Sequence, residues 1–64
     1  MIIKTIIEAI YERTSRVVNA EWAGKIAAHI LDKSRHVRDP AAYCRAAIEA
    51  EADPRTRFLP VESP

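Results

Sequence analysis

Hydrophobic residues recur three or four positions apart along two stretches of this chain, which is the spacing of one face of an α-helix. The first stretch predicts a helix over residues 2–14, with an apolar face formed by Ile3, Ile6, Ile7, Ile10 and Tyr11. A β-strand is the alternative for this stretch, because isoleucine is β-branched. The isoleucines occur in pairs rather than in strict alternation, and this favours the helix.

The second stretch predicts a helix over residues 20–33, with Asn19 as its N-cap. Its apolar stripe consists of Trp22, Ala23, Ile26, Ala27, Ile30 and Leu31. Gly24 lies inside this helix, where we expect it to let another backbone approach closely. Residues 13–18 contain neither Gly nor Pro. They are therefore either a connector or the bent continuation of the first helix.

Capping residues, rather than a long apolar stripe, mark a third helix. Asp39 can cap free backbone N–H groups, and Pro40 suits the first helical position because its missing N–H would have been unpaired there. The predicted helix covers residues 40–52, and its expected inner face is Tyr43, Cys44, Ala47 and Ile48. Asp53 and Pro54 end it.

The C-terminal segment, residues 54–64, has no helical or strand period and contains three of the four prolines. It predicts an extended arm, in which Phe58 and Leu59 dock either on the helices or on a partner. The predicted fold class is therefore all-α. Three short helices form a small bundle over residues 1–53, and the arm follows.

The length of 64 residues allows one domain, and the core of so short a chain supplies only about 3–5 kcal/mol. Ligand clefts occupy roughly 300–1,000 Å³, which a chain of this size can hardly enclose. We therefore expect no enzymatic activity and no catalytic residue. His29, His36 and Cys44 lack the short spacings of zinc ligands. Hence we expect no metal and no cofactor.

Charged residues interrupt every apolar stretch well before the roughly 20 residues that span a bilayer. Glu8 and Glu12 also interrupt any signal-peptide core near the N-terminus. We expect no membrane association. The lone thiol of Cys44 fits a reducing compartment, so the expected location is cytoplasmic.

The net charge is only +1, but basic residues are concentrated in the middle of the chain, where residues 13–45 contain seven basic and three acidic side chains. Such a cluster can bind nucleic-acid phosphates, and Lys33, Arg35, Arg38 and Arg45 are the candidate contacts. A solvated loop is the interpretation that we favour over phosphate binding. The third helix is rich in alanine and offers almost no side chains that could read bases, so no helix-turn-helix is predicted.

The apolar stripes contain more bulk than three short helices with one alanine-rich member can bury. Part of this surface is therefore expected to face a protein partner, and a second copy of the chain is one candidate. Trp22 and Tyr11 belong to the aromatic types that are enriched at interface centres. Phe58 and Leu59 of the arm are further candidate partner-binding residues.

A string in the C-terminal half resembles a known tail. Residues 37–48 read Val-Arg-Asp-Pro-Ala-Ala-Tyr-Cys-Arg-Ala-Ala-Ile, and residues 57–60 read Arg-Phe-Leu-Pro after Asp53-Pro54. Residues 37–60 thus resemble the C-terminal tails of actinobacterial and phage helix-turn-helix and replication-initiator proteins. The likeness to DnaD-like primosomal proteins is looser. The resemblance implies that Arg38, Tyr43 and Arg45 contact nucleic acid or a partner.

Two functions follow as expectations. The first is a small non-enzymatic binding module, an accessory of bacterial or phage DNA replication or transcription, acting through protein and nucleic-acid contacts. The second is a purely protein-binding module, such as an inhibitor or assembly adaptor, that uses the first helix or the Phe58–Leu59 arm.

Overall fold

The computed structural model of the protein describes residues 2–31 and 37–60. Four helices follow one another: α1 (Ile2–Thr14), α2 (Ala20–Leu31), α3 (Pro40–Ala50) and α4 (Pro54–Phe58). The predicted all-α class is confirmed, and the strand alternative for the first stretch is wrong. Helix α1 is central, because it packs against each of the other three helices.

Local hydrogen bonds at Thr14 and Ser15 end α1. The Thr14 hydroxyl donates to the carbonyl of Ile10 (2.7 Å) and accepts from the backbone N–H of Arg16 (3.1 Å). Ser15 adopts a left-handed conformation, with φ of 60°. The chain therefore leaves the helix axis here, and residues 15–19 form a connector rather than a bent continuation of α1.

Side-chain caps begin both α2 and α3, as predicted. Asn19 Oδ1 accepts from the backbone N–H of Trp22 (2.7 Å), and Asp39 Oδ1 accepts from that of Ala42 (3.2 Å). Helix α3 ends at Ala50, two residues before the predicted end. The backbone must already turn at Glu51, because Asp53 is needed as the cap of the next helix.

The predicted extended arm is wrong for residues 54–58, which form α4. Asp53 caps this helix, since its carboxylate accepts from the backbone N–H (3.3 Å) and the hydroxyl (2.7 Å) of Thr56. The Asp-Pro pair that was interpreted as a helix end is thus also a helix start, and it repeats the Asp39-Pro40 pattern. Residues 61–64 of the predicted arm lie outside the described residues, as do residues 32 and 33 of the predicted second helix.

The two hydrogen bonds from Thr56, that of its hydroxyl first, lower the pKa of Asp53 from its ordinary value of 3.8. A carboxyl group whose pKa is lowered in the folded state stabilises the fold above its unfolded pKa and loses this effect as the pH falls through its folded pKa. We therefore expect acid below about pH 4 to weaken the α4 cap. Urea unfolding at neutral and acidic pH measures this effect. The Asp53→Asn variant, which caps without titrating, should show a smaller loss of stability in acid. An equal loss would contradict the assigned cap.

Ten hydrophobic residues from all four helices and the first connector form the buried core: Ile6, Ala9, Ile10, Val18, Ala23, Ile26, Ala27, Cys44, Ile48 and Phe58. The predicted inner faces are correct except for two tyrosines. Tyr11 is 55% exposed and Tyr43 is 45% exposed. The buried line of α1 passes through Ile6, Ile10 and Thr14, and that of α3 through Cys44 and Ile48, so each tyrosine lies about 100° away around its helix.

The prediction that Gly24 lets another backbone approach closely is wrong. A Cβ atom added there would lie 3.8 Å from Cδ1 of Ile3, which is ordinary van der Waals contact. We expect Gly24→Ala to raise the free energy of unfolding, by up to about 1 kcal/mol, because alanine favours the helix. Urea denaturation measures the change. A destabilised variant would mean that α1 and α2 pack more closely at this point than described.

Candidate partner-binding surface

The connector between α1 and α2 carries an unusual pair of valines. Val18 is buried in the core, whereas Val17 is 74% exposed, more than either exposed tyrosine. The turn at Ser15 produces this arrangement, because it redirects the chain so that Val18 reaches the core. An exposed valine marks a candidate contact site only where other apolar side chains lie beside it, as they do here.

On one side of Val17, helix α1 presents an open, shallow depression of about 450 Å³. Ile7 and Tyr11, one helical turn apart, form its apolar wall together with Val17, and Glu8 and Glu12 form its acidic edge. We call this the acidic-edged depression. Its apolar centre and charged edge are typical of surfaces that bind proteins.

On the other side of Val17 lies a second concavity of about 360 Å³, which we call the basic groove. The α1–α2 connector, the first turn of α2 and the α4 region all contribute to its walls. Its lining includes Arg16, Val17, Trp22, Arg55, Leu59 and Pro60. Because Val17 lines both concavities, they adjoin, and we call the two together the Val17 surface.

Hydrogen bonds to backbone carbonyls hold two side chains of the basic groove in place. The indole N–H of Trp22 donates to the carbonyl of Phe58 (2.7 Å), and Nη2 of Arg55 donates to the carbonyl of Thr14 (3.2 Å). The ammonium of Lys25 lies 5.4 Å from the centre of the Trp22 ring, in a cation–π contact. The groove therefore has fixed walls before any partner arrives.

The structure describes two of the four predicted nucleic-acid-binding residues. Lys33 and Arg35 lie outside the described residues. Arg38 is exposed just before α3. Arg45 donates to Glu49 (3.1 Å) and to Glu12 (3.2 Å).

The hydrogen bond that Arg45 donates to Glu49, followed by the negative charge of Glu12, raises the pKa of Arg45. Two carboxylates therefore balance this charge on the surface of the bundle. Arg45 thus belongs to an ion-pair network that joins α3 to α1.

The four predicted partner-binding residues lie in different parts of the structure. Trp22 and Leu59 line the basic groove. Phe58 docks on the helices, which was one of the two alternatives, and at 4% exposure it belongs to the core. Tyr43 is exposed on α3 and lines neither concavity of the Val17 surface.

Sequence reasoning missed Arg16, Val17 and Arg55 as members of a site. The connector has no periodicity, and Arg55 was assigned to an arm. The one available signal was the repeated Asp-Pro pair, which predicts a helix start before Arg55 and hence a defined position for it.

The described part of the chain neither exposes Cys44 nor gathers a set of metal ligands. Cys44 is buried, and desolvation raises the pKa of its thiol, which suits a small hydrophobic side chain and not a nucleophile. Within residues 2–31 and 37–60, no group of three or more His, Cys, Asp or Glu side chains is placed to hold a metal ion. In the same ranges, every buried side-chain nitrogen or oxygen has a hydrogen-bond partner.

Comparison with protein-family models, curated proteins and solved structures finds no match to this chain. The longest described helix has 13 residues, and none of the described helices is both long and apolar enough to cross a membrane.

Proposed function

We propose that this protein is a small non-enzymatic protein-binding module whose partner contacts the Val17 surface. The observation that carries the proposal is the placement of Val17, an exposed valine between two adjoining concavities. Exposed apolar side chains ordinarily occur singly, whereas here the exposed Tyr11 and Val17 line one depression together with the half-buried Ile7. Covering it with a partner removes apolar surface from water and so favours binding.

The charges favour a protein over a nucleic acid as the partner. Glu8 and Glu12 line one half of the surface, and Glu8, which has no ion pair among the described residues, would repel a phosphate backbone lying across it. Arg45 is engaged by Glu12 and Glu49. Of the four predicted phosphate-binding residues, this leaves Arg38 as the one exposed, described residue to which the structure assigns no ion pair with a carboxylate.

We also propose a setting for the module. The resemblance of residues 37–60 to tails of replication-initiator and helix-turn-helix proteins supports an accessory role in bacterial or phage DNA replication or transcription. The lone, buried thiol of Cys44 supports a reducing compartment such as the cytoplasm. In this setting the DNA would be contacted by the partner, and the module would act through it.

Photo-crosslinking in the native host tests the proposed contact surface. A benzophenone amino acid replaces Val17 in one variant and Tyr43 in the matched control, because Tyr43 is an exposed side chain that lies outside the surface. Irradiation should join the variant at position 17 to one discrete protein and leave the control without that adduct. No protein adduct at position 17, or the same adduct at both positions, would contradict the proposal.

A DNA titration tests the nucleic-acid alternative. Fluorescence anisotropy of labelled DNA is followed at about 50 mM and 200 mM salt, because added salt weakens binding more steeply the more phosphates the protein neutralises. We expect no salt-sensitive binding. Binding that weakens with salt and disappears in Arg38→Ala would replace the proposed function with phosphate binding.

A further inference from the structure

We infer that the basic groove binds an acidic–apolar peptide segment of the partner, in which Asp or Glu lies next to a large aliphatic or aromatic residue. The inference rests on the proposed function, and it names the chemistry of the partner at one half of the Val17 surface. It is carried by the charges, the apolar wall and the fixed geometry of the groove.

The first step concerns charge. Among the residues that the structure describes, the charged side chains lining the basic groove are Arg16 and Arg55, while those lining the adjoining depression are Glu8 and Glu12. The Val17 surface thus has a positive half and a negative half. A guanidinium group presents several N–H donors in a plane that matches a carboxylate, so Arg55 can bind an Asp or Glu side chain while it holds the Thr14 carbonyl.

The second step concerns the apolar wall. Trp22, Leu59 and Pro60 line the groove together with Val17, so a purely charged ligand would leave apolar surface uncovered. A volume of about 360 Å³ lies at the lower end of the roughly 300–1,000 Å³ typical of ligand clefts. It admits one large side chain and its neighbours, but not a whole helix. A short segment that combines a hydrophobic residue with an acidic one can contact both the apolar side chains and the basic side of the groove.

The third step concerns rigidity. Trp22 is held by its hydrogen bond to the carbonyl of Phe58, and Arg55 by its hydrogen bond to that of Thr14. Arg55 uses one of its five N–H donors for this bond. A groove whose side chains are already ordered loses less conformational entropy on binding, which is needed if a short segment is to bind at all.

A single-stranded nucleic acid is the competing ligand, because arginines and a tryptophan can also bind phosphates and stack on bases. The peptide is favoured because Val17 lines both concavities, so the groove adjoins the depression that Glu8 and Glu12 line. A polyanion continuing past Val17 would meet these carboxylates. A peptide can instead continue with neutral, apolar or basic residues.

Peptide selection followed by fluorescence tests the inference. A random displayed peptide library is selected on the intact protein, and the enriched peptides should combine Asp or Glu with Leu, Ile or Phe. The best peptide is then synthesised and titrated. Trp22 is the only tryptophan of the chain and lies in the groove wall, so its own fluorescence reports occupancy.

Three comparisons give the expected result. The peptide should bind about tenfold more weakly to Arg55→Gln, which corresponds to one charge-assisted hydrogen bond. Arg38→Gln removes the same charge outside the groove and should bind like the wild type. The amidated counterpart of the peptide, with Asn and Gln for Asp and Glu, should lose affinity to a similar degree. Arg55→Lys keeps the positive charge and should bind the peptide with intermediate affinity. This result would show that Arg55→Gln weakens binding through the groove, even if Arg55→Gln also weakens the fold.

The inference is overturned if the library yields no binder, if the enriched peptides lack acidic residues, or if Arg55→Gln and Arg38→Gln behave alike. It is also overturned if a thymidine oligonucleotide, and not the peptide, changes the Trp22 fluorescence. The proposed function is judged separately, by the crosslink at position 17. If that crosslink also forms in the Arg55→Gln background at wild-type yield, the protein-binding function stands while the acidic–apolar ligand fails.

Discussion

Phe58→Ala is expected to unfold most of the protein at room temperature. Phe58 is 4% exposed and brings α4 into the core formed by the other three helices. Truncating a buried phenylalanine costs about 3–5 kcal/mol, which is also roughly the whole stability available to a domain of this size. Far-ultraviolet circular dichroism should show a large loss of helix, far more than the five residues of α4 can account for.

Phe58→Leu keeps most of the side-chain volume and serves as the graded control. It should remain folded, with its free energy of unfolding lowered by less than about 1.5 kcal/mol. If Phe58→Ala instead keeps the wild-type spectrum and melting temperature, then Phe58 is not a core residue. In that case residues 54–60 would be the partner-binding arm that the sequence first indicated.

Trp22→Ala is expected to have the second-largest effect, a loss of about 2–3 kcal/mol in the free energy of unfolding. This is less than the roughly 3–5 kcal/mol for a fully buried aromatic side chain, because Trp22 is half-buried. The variant loses both the packing of the indole against the core and the hydrogen bond to the Phe58 carbonyl. Urea denaturation followed by circular dichroism measures the change without relying on tryptophan fluorescence.

Trp22→Phe separates these two contributions, because it keeps an aromatic ring and removes the N–H donor. We expect a smaller loss, of about 1 kcal/mol. Equal stability of Trp22→Phe and the wild type would mean that the bond between α2 and the end of α4 does not stabilise the fold. Equal destabilisation of Trp22→Phe and Trp22→Ala would mean that packing of the ring contributes nothing.

The helices that could be predicted from the sequence are those whose signals come from residues within or next to the helix. The period of α1 and α2 and the side-chain caps Asn19 and Asp39 depend on neighbouring residues, and each of these features is confirmed. Helix α4 was missed because five residues are too few to show a period. Its one local signal, Asp53 before Pro54, was assigned to the end of α3.

The orientation of the two exposed tyrosines could not be predicted because it depends on tertiary packing. A stripe of hydrophobic residues defines a helix face to within about one residue, and Tyr11 and Tyr43 lie at the edges of their stripes. On α1 the small Ala9 and the polar Thr14 are buried beside Ile6 and Ile10, whereas Tyr11 is not. Thr14 is accommodated because its hydroxyl donates to the carbonyl of Ile10.

The Val17 surface is non-local, and this explains why the sequence did not reveal it. Its basic groove joins Arg16 and Trp22 to Arg55 and Leu59, which are more than thirty positions away along the chain. The surface also depends on the left-handed conformation of Ser15. Because this residue is not a glycine, its type did not indicate a positive φ angle. Of its members, Tyr11, Trp22 and Leu59 were singled out individually, from residue type.

The most direct test of the central claim is quantitative capture from the native host with wild-type protein, Val17→Asp and Tyr43→Asp. Both substitutions place a carboxylate at an exposed position, so each should change the free energy of unfolding by no more than about 0.5 kcal/mol. The account predicts that Val17→Asp loses the protein that crosslinks at position 17, while Tyr43→Asp retains it at the wild-type level. Retention of that protein by a folded Val17→Asp variant would contradict the assignment of the partner-binding surface.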